Sequence, residues 1–322
     1  MKEYRTSYPY SMNAVYSAVG VSKQSVYQYI ARRDLFEARV AELQVEVEAI
    51  RREHGGCGLE KMYNMLSPSW IGRDRFISIF QELGYGVKRK RAGHRTTYSG
   101  RENVYPNLIK GMQLWKRDQL WQTDITYFWL DGEYNYLTFI IDVYSRRIVG
   151  HYVSNHMRKE ANIKALKRAI SVREGADLTS LVHHSDRGAQ YTSNDYQDLL
   201  RRHGIKISMC DKAQDNAYGE RINGTIKNEY LKHWKIKNHE GLVRATNKAV
   251  AHYNSNRMHN NLLHRMSPTA FEDWLSSNTQ QRPMVNIYTE GQEKLKGASS
   301  PNKLYPTKDL QDHICPMAMN EN

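Results

Sequence analysis

Two spacings of apolar residues divide this chain of 322 residues. Up to about residue 87, apolar side chains recur every three or four positions, the mark of helices with one buried face. In YSMNAVYSAVGVSKQSVYQYIARR (10–33), Ala14, Val15 and Ala18 make one stripe, Gly20 permits a sharp turn, and Ser22 is placed to cap a second helix. Val26, Tyr27 and Ile30 of that helix are expected to pack inward, giving a helix-turn-helix. Phe36, Val40, Leu43, Val47 and Ile50 then alternate in steps of four and three, a heptad seam only about two heptads long. Such a seam either pairs with a second copy or packs on its own domain. A second helical pair follows at 54–87. Leu59, Met62, Tyr63 and Leu66 lie in one helix, and Phe76, Ile77, Phe80 and Leu83 in the next, closed by Gly84.

From about Leu114 the pattern becomes strand-like. WQTDITYFWL turns at Asp131-Gly132 into EYNYLTFIIDVYSR, and RIVGHYVSNH makes a third strand. Ile163, Leu166, Ala169 and Ile170 then mark an amphipathic helix. After it come a short buried strand LVHHSD (181–186), a helix through Tyr196, Leu199 and Leu200, a strand IKISM (205–209), and the helix carrying Glu220. The order β-β-β-α-β-α-β-α predicts an antiparallel meander extended by helical crossovers, an α/β domain. The expected divisions are 1–53 and 54–98 for the helical units, the second ending in a basic linker, then 99–278 for the α/β domain. A polar, pattern-free tail is expected at 279–322.

Charge changes the picture. A net +13 points to a polyanionic partner, nucleic acid first among them. No apolar run reaches the ~18 residues of a membrane span, and the first residues lack a signal-peptide core, so a cytoplasmic protein is expected. Cys57, Cys210 and Cys315 are too scattered for a disulfide framework or a zinc site. Lys23, Gln24 and Gln28 are expected to face DNA from the first helix-turn-helix, and Arg73 and Arg75 from the second. Lys88, Arg89, Lys90 and Arg91 open a basic linker suited to the DNA backbone.

The candidate chemistry lies in three acids. Asp124 and Asp186 interrupt apolar, strand-like runs, where an ionised carboxylate is costly unless neutralised. Glu220 opens a helix, on the face it shares with Lys227. Distant segments that each deliver one acid suit a divalent-metal site for phosphoryl transfer. Asp142 is expected to serve a turn hydrogen bond or an ion pair with Arg146 or Arg147. Of His183 and His184, one should pack and the other hydrogen-bond. Gln190 and Tyr191 either steady DNA or simply pack, and Arg257 is the best phosphate contact beside Asn254 and His259.

In sequence order, WQTDITYF, IIDVYSRRIVG, HHSDRGAQYTS, DNAYGERINGTIKNE and HYNSNRMH, with a later SPTAFE, resemble the integrase-type DDE transposases of bacterial insertion sequences. Retroviral integrases share that catalytic core. The resemblance implies a ribonuclease H-like α/β domain, a mixed five-stranded sheet flanked by helices, preceded by all-α helix-turn-helix units. It implies that Asp124, Asp186 and Glu220 are the acidic triad holding two Mg²⁺ ions, with Mn²⁺ as a substitute, and that Lys227 lies near substrate DNA. Such enzymes bind terminal inverted repeats as homodimers or larger oligomers, free a 3′ hydroxyl at each end, and join it to target DNA. The 33 residues between Asp186 and Glu220 are slightly fewer than the family carries, a shortfall assigned to the loop at 209–217. Competing readings are a DNA-binding regulator with an inactive catalytic domain and a structure-specific nuclease of the same fold.

Overall fold

The computed structural model describes residues 10–87, 105–278 and 282–287. The chain divides into two compact units, residues up to Glu53 with Cys57–Gly86, and Val87 onward with His54–Gly56. The basic residues Lys88, Arg89, Lys90 and Arg91 lie outside the described residues.

The first unit contains helices α1 (Met12–Val19), α2 (Lys23–Glu53), α3 (Leu59–Leu66) and α4 (Arg73–Glu82). Gly20 ends α1 in the left-handed conformation, and the Ser22 hydroxyl accepts the Ser25 amide at the start of α2, both as predicted. The expected inward stripe of α1 fails, because Ala14, Val15 and Ala18 are all exposed and α1 buries nothing. Tyr27, too, is exposed rather than packed inward. Among the described residues α2 runs unbroken for 31 residues, and no third helix closes over α1 and the start of α2. The apolar seam further along α2 finds its partners inside the unit. Leu43 and Val47 join Leu59, Met62, Phe76 and Phe80 in one core, with Phe36 and Ile50 at its edge. Leu83 remains exposed.

The second unit is built on strands β1 (Gln113–Leu114), β2 (Leu120–Leu130), β3 (Glu133–Asp142), β4 (Ile148–Ser154), β5 (Val182–Ser185), β6 (Lys206–Met209) and β7 (Val285–Asn286). The main sheet has the order β4-β3-β2-β5-β6. β2, β3 and β4 pair antiparallel, while β5 and β6 add in parallel. This is the expected ribonuclease H-like arrangement, a mixed five-stranded sheet with helices on both faces. Asp131 and Gly132 take positive φ values of 50° and 80°, the turn geometry that an Asp-Gly pair tolerates best.

Helices α5 (Lys159–Val172) and α6 (Asn194–Arg202) cover one face, where Trp121, Ile140, Leu166 and Leu200 meet. Helices α7 (Ala217–Thr225) and α8 (His239–Ser255) cover the other with Ile222, Leu242 and Tyr253 against Leu137 and Phe139. Helix α9 (Pro268–Ser277) starts at Ser267, whose hydroxyl accepts the Ala270 amide, and has Pro at its first position. The pattern-free tail expected from 279 gives way at 282–287, where β7 pairs with β1 and Val285 is buried. Two residues of strand carry too little periodicity to be seen in a sequence.

Candidate active site

The sheet register sets two of the acids side by side. β2 and β5 are parallel, with Gln122 opposite His184. Two residues beyond that last pair come Asp124, on β2, and Asp186, just past the end of β5, close enough for their charges to interact. The third acid arrives with α7. Gln122 accepts the amides of Tyr218 and Gly219 at 3.0 and 3.4 Å and donates to the Asp215 carbonyl, while Asn216 donates to the Thr123 carbonyl at 2.8 Å. These bonds pin the first turn of α7 to β2. Gly219 is required there, since a Cβ would come within 3.1 Å of the Asp124 Cβ and 2.8 Å of Asn216. Glu220 follows directly.

The electrostatics reflect this crowding. Burial pushes the Asp124 carboxyl up to about 7, and repulsion from Asp186 and Glu220 adds to the shift. Hydrogen bonds from the Ile125 amide (2.9 Å) and Asn223 Nδ2 (2.8 Å) act the other way. Partial burial also raises Asp186, opposed by the Gly188 amide at 2.9 Å. Among the described residues no three His, Cys, Asp or Glu side chains form a closed ligand cluster. Each aspartate takes its own N–H donors. The donor set is all carboxylate oxygen with Asn223 beside it, the chemistry that hard divalent cations such as Mg²⁺ select.

Lys227 sits where α7 has already changed character. A π-helical turn spans Ile226–Tyr230, so the straight helix expected through Glu220 and Lys227 ends at Thr225. The Lys227 ammonium still faces the site. It lies 3.5 Å from the Tyr127 carbonyl oxygen and is lowered by burial, then by Lys232, while Asp124 draws it back up.

Arg257 is placed differently from its expected role as a phosphate contact. Its guanidinium makes two bonds to Glu229, at 2.9 and 2.8 Å, and is only 11% exposed. Glu229 also meets His54 Nε2 at 2.8 Å, so it is engaged away from the acids and does not stand in for Glu220. Arg257→Ala should therefore act on stability, by roughly 2–3 kcal/mol, less than the ~3–5 of a fully buried broken pair because Glu229 stays partly in water. Thermal denaturation would register the loss, and an unchanged salt slope of DNA binding would separate it from a lost phosphate contact.

Several of the remaining candidates hold the fold together. Asp142 serves its turn through the Ser145 amide (2.6 Å) and the Asp118 amide (2.7 Å), not through the expected arginines. Arg147 bonds Glu272 instead, and Arg146 lies over the Tyr218 ring. His183 contacts the Tyr196 hydroxyl and His184 meets Ser208, so both hydrogen-bond and both are buried. Burial lowers them to about 3 and about 4. Tyr191 is core, and Gln190 donates to the Met157 carbonyl. Asp215 accepts the Asp211 and Lys212 amides and the Asn107 side chain, fixing the loop before α7. Lys23, Gln24, Gln28, Arg73 and Arg75 are exposed, with Arg73 paired to Asp74 and Arg75 over the Phe36 ring at 4.4 Å. Sequence reasoning missed Gln122, Asn216 and Asn223. Their only signal was position, as polar residues beside the three acids.

The integrase core domain family matches this chain over residues 116–214 and again over 203–268. A 31 kDa uncharacterized protein of insertion element IS600 from Shigella sonnei is 33% identical over 264 residues, spanning 79% of this chain and 96% of that one. The transposase of insertion sequence element IS629, also from Shigella sonnei, is 36% identical over 69% of this chain and 76% of its own length. The chain belongs to the integrase-type transposases of insertion sequences. A putative transposase of IS986/IS6110 from Mycobacterium tuberculosis is 29% identical to this transposase over 74% of the chain and 90% of its own length. Among solved structures, the magnesium complex of the HTLV-2 integrase catalytic core domain aligns with the transposase at 22% identity and a TM-score of 0.39. That alignment covers 48% of the transposase and 97% of the viral chain. Among the described residues no helix is long and apolar enough to cross a membrane.

Proposed function

We propose that this transposase binds the terminal inverted repeats of its element and catalyses Mg²⁺-dependent strand cleavage and strand transfer, with Asp124, Asp186 and Glu220 as its catalytic acids. The observation that supports the reading is that the buried Asp124 carboxyl on β2 feels the charges of both Asp186, just past β5, and Glu220 on α7. Two Mg²⁺ ions held by these acids would supply charge neutralisation at the reacting phosphate and a lowered pKa for the attacking water or 3′ hydroxyl. The chain's own residues do the positioning. Asn223 and the Ile125 amide aim the Asp124 oxygens, the Gly188 amide aims Asp186, and Gln122 with Asn216 fixes the first turn of α7, which carries Glu220, against β2.

Lys227 is the DNA contact nearest the chemistry. The exposed Lys23, Gln24, Gln28, Arg73 and Arg75 supply sequence recognition in the helical unit, with Lys88, Arg89, Lys90 and Arg91 along the backbone. Joining two ends requires two active protomers, so the working form on DNA is a homodimer or larger. The test is a duplex ending in the element's inverted repeat, incubated with the full chain and Mg²⁺ or Mn²⁺. New 3′ hydroxyl ends and joined products are expected with metal. Joining that proceeds in excess chelator, or none with either metal, sinks the proposal.

A further inference from the structure

Three large aromatic side chains stand in solvent at the end of the β2–β3 hairpin. Tyr127, Trp129 and Tyr134 are 48%, 58% and 50% exposed. Trp129 lies directly across from Tyr134, their rings 4.6 Å apart and edge to face, and Tyr127 meets the same Tyr134 ring at 5.4 Å. This end of the hairpin projects beyond its neighbours. β5 pairs with β2 only as far as Gln122, and β4 pairs with β3 only as far as Tyr136. The rings therefore hold one another and leave π faces open, an arrangement that costs hydration free energy unless something covers it.

The location says what covers it. The Lys227 ammonium lies 5.4 Å from the Tyr127 ring centroid, on the side of the cluster nearest the catalytic acids, and Asp124 is close enough to draw its protonation upward. The acidic Asp131 and Glu133 sit at the opposite end, in and beside the turn. A ligand with a flat aromatic face and an anionic backbone fits this gradient, its phosphate toward Lys227 and its ring toward Trp129. A neutral apolar peptide makes no use of it.

We propose that Tyr127, Trp129 and Tyr134 form a stacking platform for an unpaired nucleobase of the DNA strand being processed. It rests on the strand-transfer reading above and extends it: the site takes an end whose last base pairs are opened. Base–aromatic stacking tolerates every base, so the platform adds affinity without adding a sequence preference.

The test uses the full chain and two duplexes that end in the element's inverted repeat, one fully paired and one with two mismatched terminal nucleotides. 2-Aminopurine replaces one unpaired base as the probe. The parent is expected to favour the opened end by about tenfold or more and to quench the probe. In the Trp129→Ala/Tyr134→Ala double variant the preference should fall to about one, whereas Trp129→Phe, which keeps a π face, should retain most of it. Equal preference in parent and double variant overturns the platform. So does a fall in oligomeric mass of the double variant without DNA, which would make the cluster a contact between copies. Failure of the parent to bind either duplex overturns the strand-transfer reading along with it. Binding without preference overturns the platform alone.

Discussion

Asp124→Asn should abolish strand transfer while leaving the metal-free fold at least as stable as the parent above pH 7. The activity loss is expected on the order of 10³-fold, the scale of removing one preorganised electrostatic contact to a transition state. The stability result has the opposite sign because the Asp124 carboxylate is crowded by Asp186 and Glu220. Its carboxyl is raised to about 7 in the folded chain, against about 3.9 for an unfolded aspartate. Below about pH 4 both states hold the proton, and the contribution of this group to stability is full. Between pH 4 and 7 the folded state binds more protons than the unfolded one, so stability falls as pH rises and levels off above 7. The asparagine removes that loss. Mg²⁺ should displace the same proton, so its stabilising effect on the parent should grow from pH 5 to 7 and be much reduced in the variant. Differential scanning fluorimetry with and without Mg²⁺ across this range checks both signs. A variant less stable than the parent at pH 8 without metal would mean that the three acids do not repel as described.

The second large effect lies away from the chemistry. Arg173, at the end of α5, bonds both oxygens of Glu272 on α9 and one oxygen of Asp118 just before β2, and Arg173 and Glu272 are 4% and 2% exposed. Burial opposes ionisation of Glu272, but the hydrogen bonds and charge of Arg173, with Ser145 and Arg147, outweigh it and hold the carboxyl at about 2. Breaking such a pair strands a buried charge, at a cost of about 3–5 kcal/mol. Arg173→Met should therefore lower the melting temperature by roughly 8–15 °C for a unit of this size. A carboxyl depressed this far contributes stability above about pH 4.3, lost as pH falls through 2. The gap between parent and variant should accordingly narrow in acid. Strand transfer per folded molecule at 20 °C should be unchanged, which distinguishes a structural pair from a catalytic one.

What was legible in the sequence follows from range. Alternation along β2 and β3, the Asp131-Gly132 turn and the amphipathic α5 are local patterns, and they predicted the sheet. An ionised residue inside an apolar strand is also a local anomaly, which is why Asp124 and Asp186 stood out. Arg173 and Glu272 carried no such mark, since each reads as an ordinary charge on a helix and only the fold joins them. Arg257 misled for the same reason. Beside Asn254 and His259 it looks available, and its partner Glu229 lies 28 residues away in the sequence. The exposed face of α1 was mistaken for a buried one because an apolar stripe predicts a partner without showing that one is present.

The π turn at Ile226–Tyr230 makes this stretch unusually sensitive to chain length. A π turn amounts to a winding with one residue to spare. Removing a single residue here restores regular winding with the flanking helix in nearly its old phase, but it re-aims the residues inside the turn, taking Glu229 off Arg257 and Tyr230 out of its core. A one-codon deletion in this turn should therefore cost the Glu229–Arg257 pair and the Tyr230 packing while leaving every catalytic acid in place.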